Sequence, residues 1–580
     1  MLLTRIDELI GLIRKKKMAS FRDLAKDLKW KPEEVERVCR ILESAGLLDI
    51  HYSLNPLSKP WISLRKLEEE ESKDEPPKGK KVDDYSITDP IGGHDIAEVE
   101  IIYSEDDRRN CYYIHLPRLT PYTRAFLEHI KTETAKKLPI SGVEKTKDEM
   151  QSDLEERTKT VGKLIGGEIN PEPLVLKTLT SIAMNEMYGL GDIELLIADR
   201  MLEEIVINSS KVPVSVYHRK LGWLKTNILM KNEEESENYS SQIARKVGRQ
   251  VTILNPILDA HLVTGDRVNA TLYPISTAGN SITLRLFARN PWTVVSLISD
   301  RIKSMSPEMA AILWQAIHYE MNIIVSGGTA SGKTSALNSL VALIPPHQRI
   351  ITIEDTRELV LPSYQWNWVP MATRAPNPEG LGEITMLDLV VNSLRMRPDR
   401  IVMGEIRKKR EAEVLFEAMH TGHSVYGTIH ADTGEQVIKR LIEPPIEVPP
   451  GEIEDVHLVL VQYRDRRKNL RRTLELSEIV PGAKGPELNY LYKWRARTDV
   501  FDKVRPPHRY IEQMNLHTGM TEKEIMDDQE RKIDVLNWMY ENNLEDVDQV
   551  GRVMKSYYAD EESLLEGVEK KQKPDKILGE

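Results

Sequence analysis

The stretch I-I-V-S-G-G-T-A-S-G-K-T, residues 323–334, decides the fold of the central part of this 580-residue chain. Its last eight residues match the pattern G-x-x-x-x-G-K-[ST], and the apolar residues before them predict a buried strand. The run S-A-L-N-S-L-V-A-L-I that follows predicts a helix. In a strand–loop–helix unit of this kind, backbone N–H groups and the helix N-terminus hold phosphate oxygens. The sequence therefore predicts a nucleotide-phosphate site.

Two side chains of this loop have specific roles in the predicted site. Lys333 would reach the β- and γ-phosphates, and Thr334 would ligate Mg²⁺. The other residues would surround the phosphates with backbone N–H groups. The candidate nucleotide-binding residues are Gly327, Gly328, Thr329, Ala330, Ser331, Gly332, Lys333, Thr334 and Ser335.

Two later strands end in acidic residues. R-I-I-T-I (349–353) is followed by Glu354 and Asp355, and R-I-V-M-G (400–404) is followed by Glu405. Ligands bind beyond the carboxyl ends of strands in an open parallel sheet, so these acids are predicted to face the phosphates. We interpret Glu354 as the base that polarises the attacking water and Glu405 as the acid that holds Mg²⁺. This interpretation places the strand that ends in Glu354, the first after the loop's helix, beside the loop strand. The opposite assignment, with Glu405 as the base, stays open.

Histidines and arginines provide further candidates. His423 and His430 frame the strand after the second acidic strand, where they could sense the γ-phosphate, although a lone strand histidine is usually structural. Arg267 and Arg285 precede the phosphate loop and belong to a different predicted domain. Arginines from outside the core can neutralise transition-state charge, and a surface ion pair is the alternative for each. Arg407 follows the second acidic strand end.

Composition limits the classes of protein that fit. The chain has 80 basic and 91 acidic residues and a net charge of −11, which disfavours a globally basic nucleic-acid binder. Cys39 and Cys111 are its 2 cysteines, which excludes a disulfide scaffold and a C-x-x-C zinc site and suits a reducing compartment. No apolar run approaches the roughly 18–20 residues of a membrane span. We expect a soluble, cytoplasmic protein; if it works at a membrane, it does so through a partner or its surface.

The N-terminal part predicts a small helical module and a linker. Residues 1–63 predict three helices and a short strand, a winged-helix-like pattern, with Ser20 as an N-cap, Pro32 in a first turn and Gly46 after the third helix. Such a module could bind DNA or dock a protein, and glutamates early in the third helix disfavour DNA. Residues 64–95 are half charged and predict a solvated linker.

The rest of the chain divides into five predicted segments, and we find no internal repeat of fixed period. They are a small α/β region at 96–188, a mixed α/β domain at 189–300, a parallel-sheet domain at 301–485, a helical extension at 486–568 and a disordered tail at 569–580. Within the helical extension, Thr521 and Glu524 predict a capping box.

Four motifs in order carry a resemblance to a known family. They are G-G-T-A-S-G-K-T (327–334), I-T-I-E-D-T-R-E-L (351–359), S-L-R-M-R-P-D-R-I-V-M-G-E-I-R (393–407) and T-G-H-S-V-Y-G-T-I-H-A-D (421–432). These stretches resemble the Walker A, Asp, Walker B and His boxes of the secretion ATPase superfamily. That family drives type II and type IV secretion, type IV pilus assembly and the archaellum. The region near 490–501 and the helical C-terminus resemble the archaeal branch.

The resemblance implies a hexameric ATPase with a PAS-like domain at 189–300 and a RecA-like domain at 301–485. ATP and Mg²⁺ would bind between these domains and be touched by a neighbouring subunit. The functional residues that it implies are Glu354, Glu405, Arg267, Arg285, His423 and His430. The implied partners are a polytopic membrane platform protein and, indirectly, pilin-like subunits, at the inner face of the cell membrane. The chain lacks the four-cysteine zinc element of many bacterial members.

Two other functions stay open at this point. One is an ATP-dependent DNA-binding regulator or DNA translocase that uses the N-terminal module, which the acidic third helix disfavours. The other is a nucleotide-gated scaffold that hardly hydrolyses ATP, which the full set of loop and acidic residues disfavours. The sequence does not distinguish adenine from guanine, and it leaves the driven filament or substrate undefined.

Overall fold

Two separate units make up the chain, Met1–Leu286 and Phe287–Glu580. The structure is a computed structural model that describes residues 2–16, 19–52, 60–65, 76–138, 147–262, 264–287, 291–376, 380–468, 470–483 and 485–578. Each unit is a mixed α/β arrangement with its own nine-stranded sheet.

The first unit combines helices and strands along its whole length. Its helices are α1 (Arg5–Lys16), α2 (Phe21–Leu28), α3 (Pro32–Ser44), α4 (Pro121–Lys137), α5 (Lys147–Ile169), α6 (Pro173–Tyr188), α7 (Ile193–Ala198) and α8 (Glu233–Lys246). Its strands are β1 (Ala19–Ser20), β2 (Leu48–His51), β3 (Trp61–Leu64), β4 (Gly79–Thr88), β5 (Asp95–Ser104), β6 (Arg109–His115), β7 (Leu202–Ile207), β8 (Ser215–His218), β9 (Gly222–Thr226), β10 (Ile257–His261), β11 (Arg267–Thr271) and β12 (Ser281–Arg285).

The N-terminal helices share one apolar core with helices much later in the chain. The predicted signals are confirmed locally, since Ser20 caps α2 by accepting a hydrogen bond from the Asp23 N–H and Pro32 is the first residue of α3. Strands β1, β3 and β2 form a small antiparallel sheet. The core continues through Phe126 of α4 and Val161 of α5, both fully buried. The predicted 1–63 module is therefore continuous with α4–α6 in packing.

The second sheet of this unit has the strand order β10-β11-β12-β7-β8-β9-β6-β5-β4. The prediction of a linker at 64–95 is wrong for Gly79–Thr88, which pairs antiparallel with β5 as an edge strand. Most side chains of β4 are exposed, and Tyr85 and Ile87 near its end reach the apolar core, so backbone pairing holds most of this polar stretch. The acidic run 68–71 lies outside the described residues. Strand β6 pairs in parallel with β9, which joins the predicted 96–188 and 189–300 segments in one sheet.

The second unit alternates strands and helices before an antiparallel and helical end. Its helices are α9 (Val294–Ile298), α10 (Pro307–His318), α11 (Lys333–Val341), α12 (Met386–Ser393), α13 (Lys409–His420), α14 (Gly434–Ile442), α15 (Arg509–Thr518), α16 (Glu522–Glu541), α17 (Val547–Ala559), α18 (Glu561–Glu569) and α19 (Pro574–Leu578), with a short 3₁₀ helix at Glu452–Asp455. Its strands are β13 (Ile323–Gly327), β14 (Ile350–Glu354), β15 (Trp368–Ala372), β16 (Arg400–Met403), β17 (Ser424–Ile429), β18 (Leu458–Asp465), β19 (Leu470–Gly482), β20 (Gly485–Arg495) and β21 (Val500–Lys503). In the described part of the chain, no helix is both long and apolar enough to cross a membrane.

The sheet of the second unit has the order β15-β14-β16-β17-β13-β18-β19-β20-β21. The strands from β15 to β18 are parallel, and those from β18 to β21 are antiparallel neighbours. Strands β13, β14, β16 and β17 are buried along their whole length, as parallel strands covered on both faces must be. The expectation that β14 lies beside β13 is wrong, because β17 and β16 stand between them.

The C-terminal part differs from the predicted helical extension and disordered tail. Strands β20 and β21 lie within residues 485–503 and extend the sheet, and the helices begin at Arg509. The capping box of Thr521 and Glu524 at the start of α16 is confirmed. The predicted disordered tail contains α19, and Ile577 packs so closely on α18 that a Cβ on Gly567 would lie 2.7 Å from its Cδ1. The apolar contact of Ile577 explains why this end of the chain is structured.

Candidate active site

The phosphate loop joins β13 to α11, as the sequence predicted. Its backbone needs glycine at two positions, because Gly327 and Gly332 have φ angles of 146° and 97°. A Cβ on Gly327 would also lie 2.2 Å from the carbonyl oxygen of Gln462 on β18. Ala330 has a φ of 58°, a strained value for a residue with a side chain. The loop is thus a tight turn that other parts of the unit must stabilise.

The other loop residues line the same turn. Thr329 and Ala330 are exposed at its tip, and Ser331 is buried beneath them. Thr334 and Ser335 are half-buried in the first turn of α11. The N–H groups of this turn have no partner within their own helix, so they are available to an anion.

Lys333 is the central cation of the site. Its Nζ donates hydrogen bonds to the carbonyl oxygens of Gly327 and Gly328, at 2.9 and 3.2 Å, and lies 2.9 Å from Nδ1 of His430. Burial lowers the pKa of Lys333 to about 8, although Glu405 and other carboxylates favour its charged form. The ammonium is therefore held inside the loop, close to its titration range near neutral pH.

The carboxyl ends of β17 and β16 bring His430 and Glu405 together. Nε2 of His430 lies 3.5 Å from Oε1 of Glu405, and the Arg407 Nη2 donates to Glu405 Oε2 at 2.6 Å. Arg407 also forms an ion pair with Asp355, which follows β14. Burial and the charge of Lys333 lower the pKa of His430. A continuous chain of polar contacts thus runs from Lys333 to Asp355 along this sheet edge.

Glu354 is a buried carboxylate at the end of β14. Its side chain is 2% exposed, and its Oε1 accepts hydrogen bonds from the N–H groups of Glu358 and Leu359. Its Oε2 has no hydrogen-bond partner within the described residues. Burial raises the pKa of Glu354 to about 7. A carboxylate with a pKa near the working pH is suited to take a proton as a general base.

His423 is not brought to the phosphate loop. It precedes β17, whereas His430 follows that strand, so the two histidines lie at opposite ends of it. At about 3.3 Å per residue the strand separates them by roughly 20 Å. Nδ1 of His423 lies 3.1 Å from Oγ1 of Thr421 and 3.3 Å from the carbonyl oxygen of Ala418. Within this unit, the prediction that both histidines meet the γ-phosphate therefore fails for His423.

Arg267 and Arg285 lie in the first unit and are direct cross-strand neighbours on β11 and β12. Arg267 forms a two-point ion pair with Asp259, at 2.9 and 3.2 Å. Arg285 lies directly opposite Glu204 of β7. Burial raises the pKa of Glu204, and the positive charge of Arg285 opposes this rise. The structure thus brings together two arginines that the sequence had identified separately.

Two residues beside the phosphate loop were missed in the sequence. Asp432 lies so close to Gly328 that a Cβ there would be 2.8 Å from its Oδ1, and it favours the charged form of Lys333. Arg471 donates from Nε to the carbonyl oxygen of Ala330 at 3.2 Å. Asp432 closes the fourth motif and was recognisable there, whereas Arg471 lies far along the chain in no motif.

Comparisons with known proteins show which proteins this chain is similar to. The family model described as "Type II/IV secretion system protein" matches residues 187–464. An uncharacterized protein of Methanocaldococcus jannaschii is 34% identical over 396 residues, which cover 67% of this chain and 70% of that protein. The type IV secretion system protein PtlH of Bordetella pertussis is 29% identical over 245 residues, covering 39% of this chain and 72% of PtlH. The structure of the Legionella pneumophila ATPase DotB covers 67% of this chain and 93% of its own, at 18% identity and a TM-score of 0.37. The family match and the archaeal relative, together with the four ordered motifs, show that this chain belongs to the type II/IV secretion system protein family of the secretion ATPase superfamily.

Proposed function

We propose that this protein hydrolyses ATP as a hexameric motor of a type II or type IV secretion-like, pilus-like or archaellum-like machinery. The observation that carries the proposal is the shared sheet edge of the second unit. There a phosphate loop, a buried carboxylate with a raised pKa and a second carboxylate follow parallel strands of one sheet. A scaffold that only binds nucleotide has no need of the buried carboxylate, which is costly to ionise.

The loop residues would bind the nucleotide phosphates. Lys333 would exchange its contacts with the loop carbonyls for contacts with the β- and γ-phosphates. Thr334 and Glu405 offer the hydroxyl and carboxylate oxygens that Mg²⁺ prefers. Among the described residues no cluster of three acidic, histidine or cysteine ligands exists, which fits a metal held by one or two side chains and the substrate phosphates. Bound Mg²⁺ would neutralise phosphate charge.

We assign Glu354 as the general base. Its unpartnered Oε2 can accept a proton from water, and Glu358 and Leu359 hold its other oxygen in place. Glu405 follows β16, which is closer to the loop strand than β14, and it favours the charged form of Lys333. That position suits the acid on the metal side. His430, between Lys333 and Glu405, would sense the loss of the γ-phosphate.

Arg267 and Arg285 would contact phosphate from the N-terminal domain. Two like charges directly opposite each other on neighbouring strands are unfavourable by a few tenths to about 1 kcal/mol. Asp259 and Glu204 offset part of this repulsion, and an anion that binds both arginines would offset more of it. We assign them to charge that develops in the transition state, as arginine fingers provide.

Separate segments of the chain would have separate roles in this motor. Residues 189–300 would act as a PAS-like domain, 301–485 as a RecA-like motor domain and 1–63 as a winged-helix-like docking module. The ring would act on a polytopic membrane platform protein at the cytoplasmic face of the membrane, and through it on pilin-like subunits. DNA is not a favoured partner. On α3 the pairs Arg37–Glu168 and Arg40–Glu36 engage basic side chains with carboxylates at 2.9 and 2.6 Å.

The test is the rate of phosphate release per subunit as the protein concentration rises, with Lys333→Ala as the blank and size measured in parallel. We expect Lys333-dependent activity that increases as a large species forms with nucleotide. A strict monomer at micromolar concentration, or phosphate release that is unchanged in Lys333→Ala, would contradict the proposal.

A further inference from the structure

The turn between β18 and β19 lies at the same sheet edge as the phosphate loop. Strand β18 is parallel to β13 and adjacent to it, so both strands end on this edge. The end of β18, the turn and the start of β19 are strongly basic. Their basic residues are Arg464, Arg466, Arg467, Lys468, Arg471 and Arg472. None of the four family motifs includes this hairpin.

Arg471 is the hairpin residue that reaches the loop. Its side chain crosses Gly332, where a Cβ would lie 3.5 Å from its Cδ, and its Nε donates to the carbonyl oxygen of Ala330. Ala330 is the strained residue of the loop. No hydrogen bond joins the two Nη groups of Arg471 to another residue of the described chain. They carry the N–H groups that suit bidentate contact with phosphate oxygens.

Arg472 fixes the direction of Arg471. It is buried and binds Asp499 through two hydrogen bonds of 2.7 and 2.9 Å, and it donates to the carbonyl oxygen of Arg471 at 2.9 Å. Successive side chains of a strand point to opposite faces, so anchoring Arg472 on one side turns Arg471 to the other. The anchor is strong, since the Arg472 guanidinium lowers the pKa of Asp499 to about 2.

The loop has acidic surroundings, so a bound polyphosphate would be stabilised by a further cation. Glu405, Asp432 and Glu358 all act on Lys333, so its immediate surroundings are acidic. Arg407 is already bound to two carboxylates. A nucleoside triphosphate adds several negative charges to this edge. Among the described residues, Arg471 is the arginine whose guanidinium touches the loop itself.

We propose that Arg471 binds phosphate oxygens of the nucleotide, so that the β18–β19 hairpin is a fifth element of the nucleotide site. This inference rests on the proposed function, because it uses the same loop and ligand. Nε would hold the loop through Ala330, and the Nη groups would bind the phosphate chain. A charge-assisted contact of this kind changes affinity by about ten- to one-hundred-fold.

The experiment compares Kd values of the full-length protein for MgATP by calorimetry. The variants are Arg471→Ala, Arg471→Gln, Arg471→Lys and Lys333→Ala. Arg466→Ala is the matched control, because it removes the same charge from an exposed position of the same hairpin. Inorganic tripolyphosphate, as a competitor of MgATP, tests whether the contact is to phosphate. Circular dichroism melts establish that each variant is folded.

We expect Arg471→Ala and Arg471→Gln to weaken MgATP and tripolyphosphate about ten- to one-hundred-fold. Arg471→Lys should lose less than these two, because it keeps the charge but not the bidentate contact, and Arg466→Ala should stay within about threefold of the parent. Glutamine can still hold the Ala330 carbonyl, so wild-type affinity in Arg471→Gln would mean that Arg471 only supports the loop, and would overturn the inference. Equal losses in Arg466→Ala, or unchanged tripolyphosphate competition, would overturn it too. A wild-type protein that binds no MgATP, or binds it as Lys333→Ala does, would instead refute the proposed function.

Discussion

Replacing Glu354 by glutamine should stabilise the protein while it removes the proposed base. The pKa of Glu354 rises from 4.5 to about 7 on folding because the carboxyl group is buried. A raised carboxyl pKa means that the folded state binds the proton more tightly than the unfolded state. The contribution to stability is therefore present below pH 4.5 and is lost as the pH rises through about 7.

The size of the effect follows from the shift. At 1.36 kcal/mol per pKa unit, the ionised carboxylate costs about 3 kcal/mol of folding free energy above pH 8 and less than about 1 kcal/mol at pH 5. Glutamine keeps the shape of Glu354 and an acceptor for the Glu358 and Leu359 N–H groups, but it never ionises. The glutamine variant should therefore gain stability over the parent as the pH rises.

Differential scanning calorimetry at pH 5 and pH 8.5 measures this gain. We expect the Tm of Glu354→Gln to exceed the parent value by roughly 4–6 °C at pH 8.5 and by 1–2 °C at pH 5. Glu413→Gln is the control, because Glu413 is half-exposed on α13 in an ion pair with Arg410. Its Tm difference should not change with pH. An equal Tm difference for Glu354→Gln at both pH values would refute the reasoning from burial.

Three further results are expected from the same contacts. The profile of kcat/KM against pH should be bell-shaped, rising near pH 7 as Glu354 loses its proton and falling above about pH 8 as Lys333 loses its proton. A flat profile would exclude both groups as the ones whose ionisation controls activity. Arg285→Ala should lower kcat at least tenfold in steady-state kinetics, while calorimetry should show MgATP affinity within about threefold of the parent. A loss of affinity without a loss of kcat would mean that Arg285 does not stabilise the transition state. Asp528→Asn should destabilise the C-terminal helices by about 3–5 kcal/mol in urea unfolding, because it removes the carboxylate that pairs with the buried Lys532 at 2.6 Å. Lys532→Met should lose less stability, and an equal loss in both variants would assign the effect to packing instead of the buried charge.

The parts of the site that follow from local sequence were predictable. Gly327–Thr334 carries its own strand, turn and helix signals, and Glu405 directly follows an apolar strand. Such signals depend on neighbours in the chain, so sequence suffices to locate them. The order of the strands is a long-range property, and the sequence did not show that β17 and β16 separate β14 from the loop strand. That same order places β17 beside the loop strand, so His430 at the carboxyl end of β17 meets Lys333, whereas His423 lies at the other end of the strand.

The parts that depend on distant contacts were missed. Strand β4 is highly charged and exists because its backbone pairs with β5, so composition indicated a linker instead. The tail helix α19 is short and polar except for the residues that pack on α18. Arg471 lies more than a hundred residues from Ala330, and only the hairpin geometry joins them. Composition and periodicity carry no information about such pairings.

The central claim is that Glu354 activates water while the loop and Glu405 hold the nucleotide and its metal. The most direct measurement is MgATP affinity beside single-turnover hydrolysis for Glu354→Gln and Glu405→Gln. We predict that Glu354→Gln binds MgATP within about threefold of the parent and loses at least one-hundred-fold in turnover. Glu405→Gln should raise the Mg²⁺ concentration needed for half-maximal activity. Turnover retained in Glu354→Gln, or abolished in Glu405→Gln without a change in the Mg²⁺ requirement, would contradict the account.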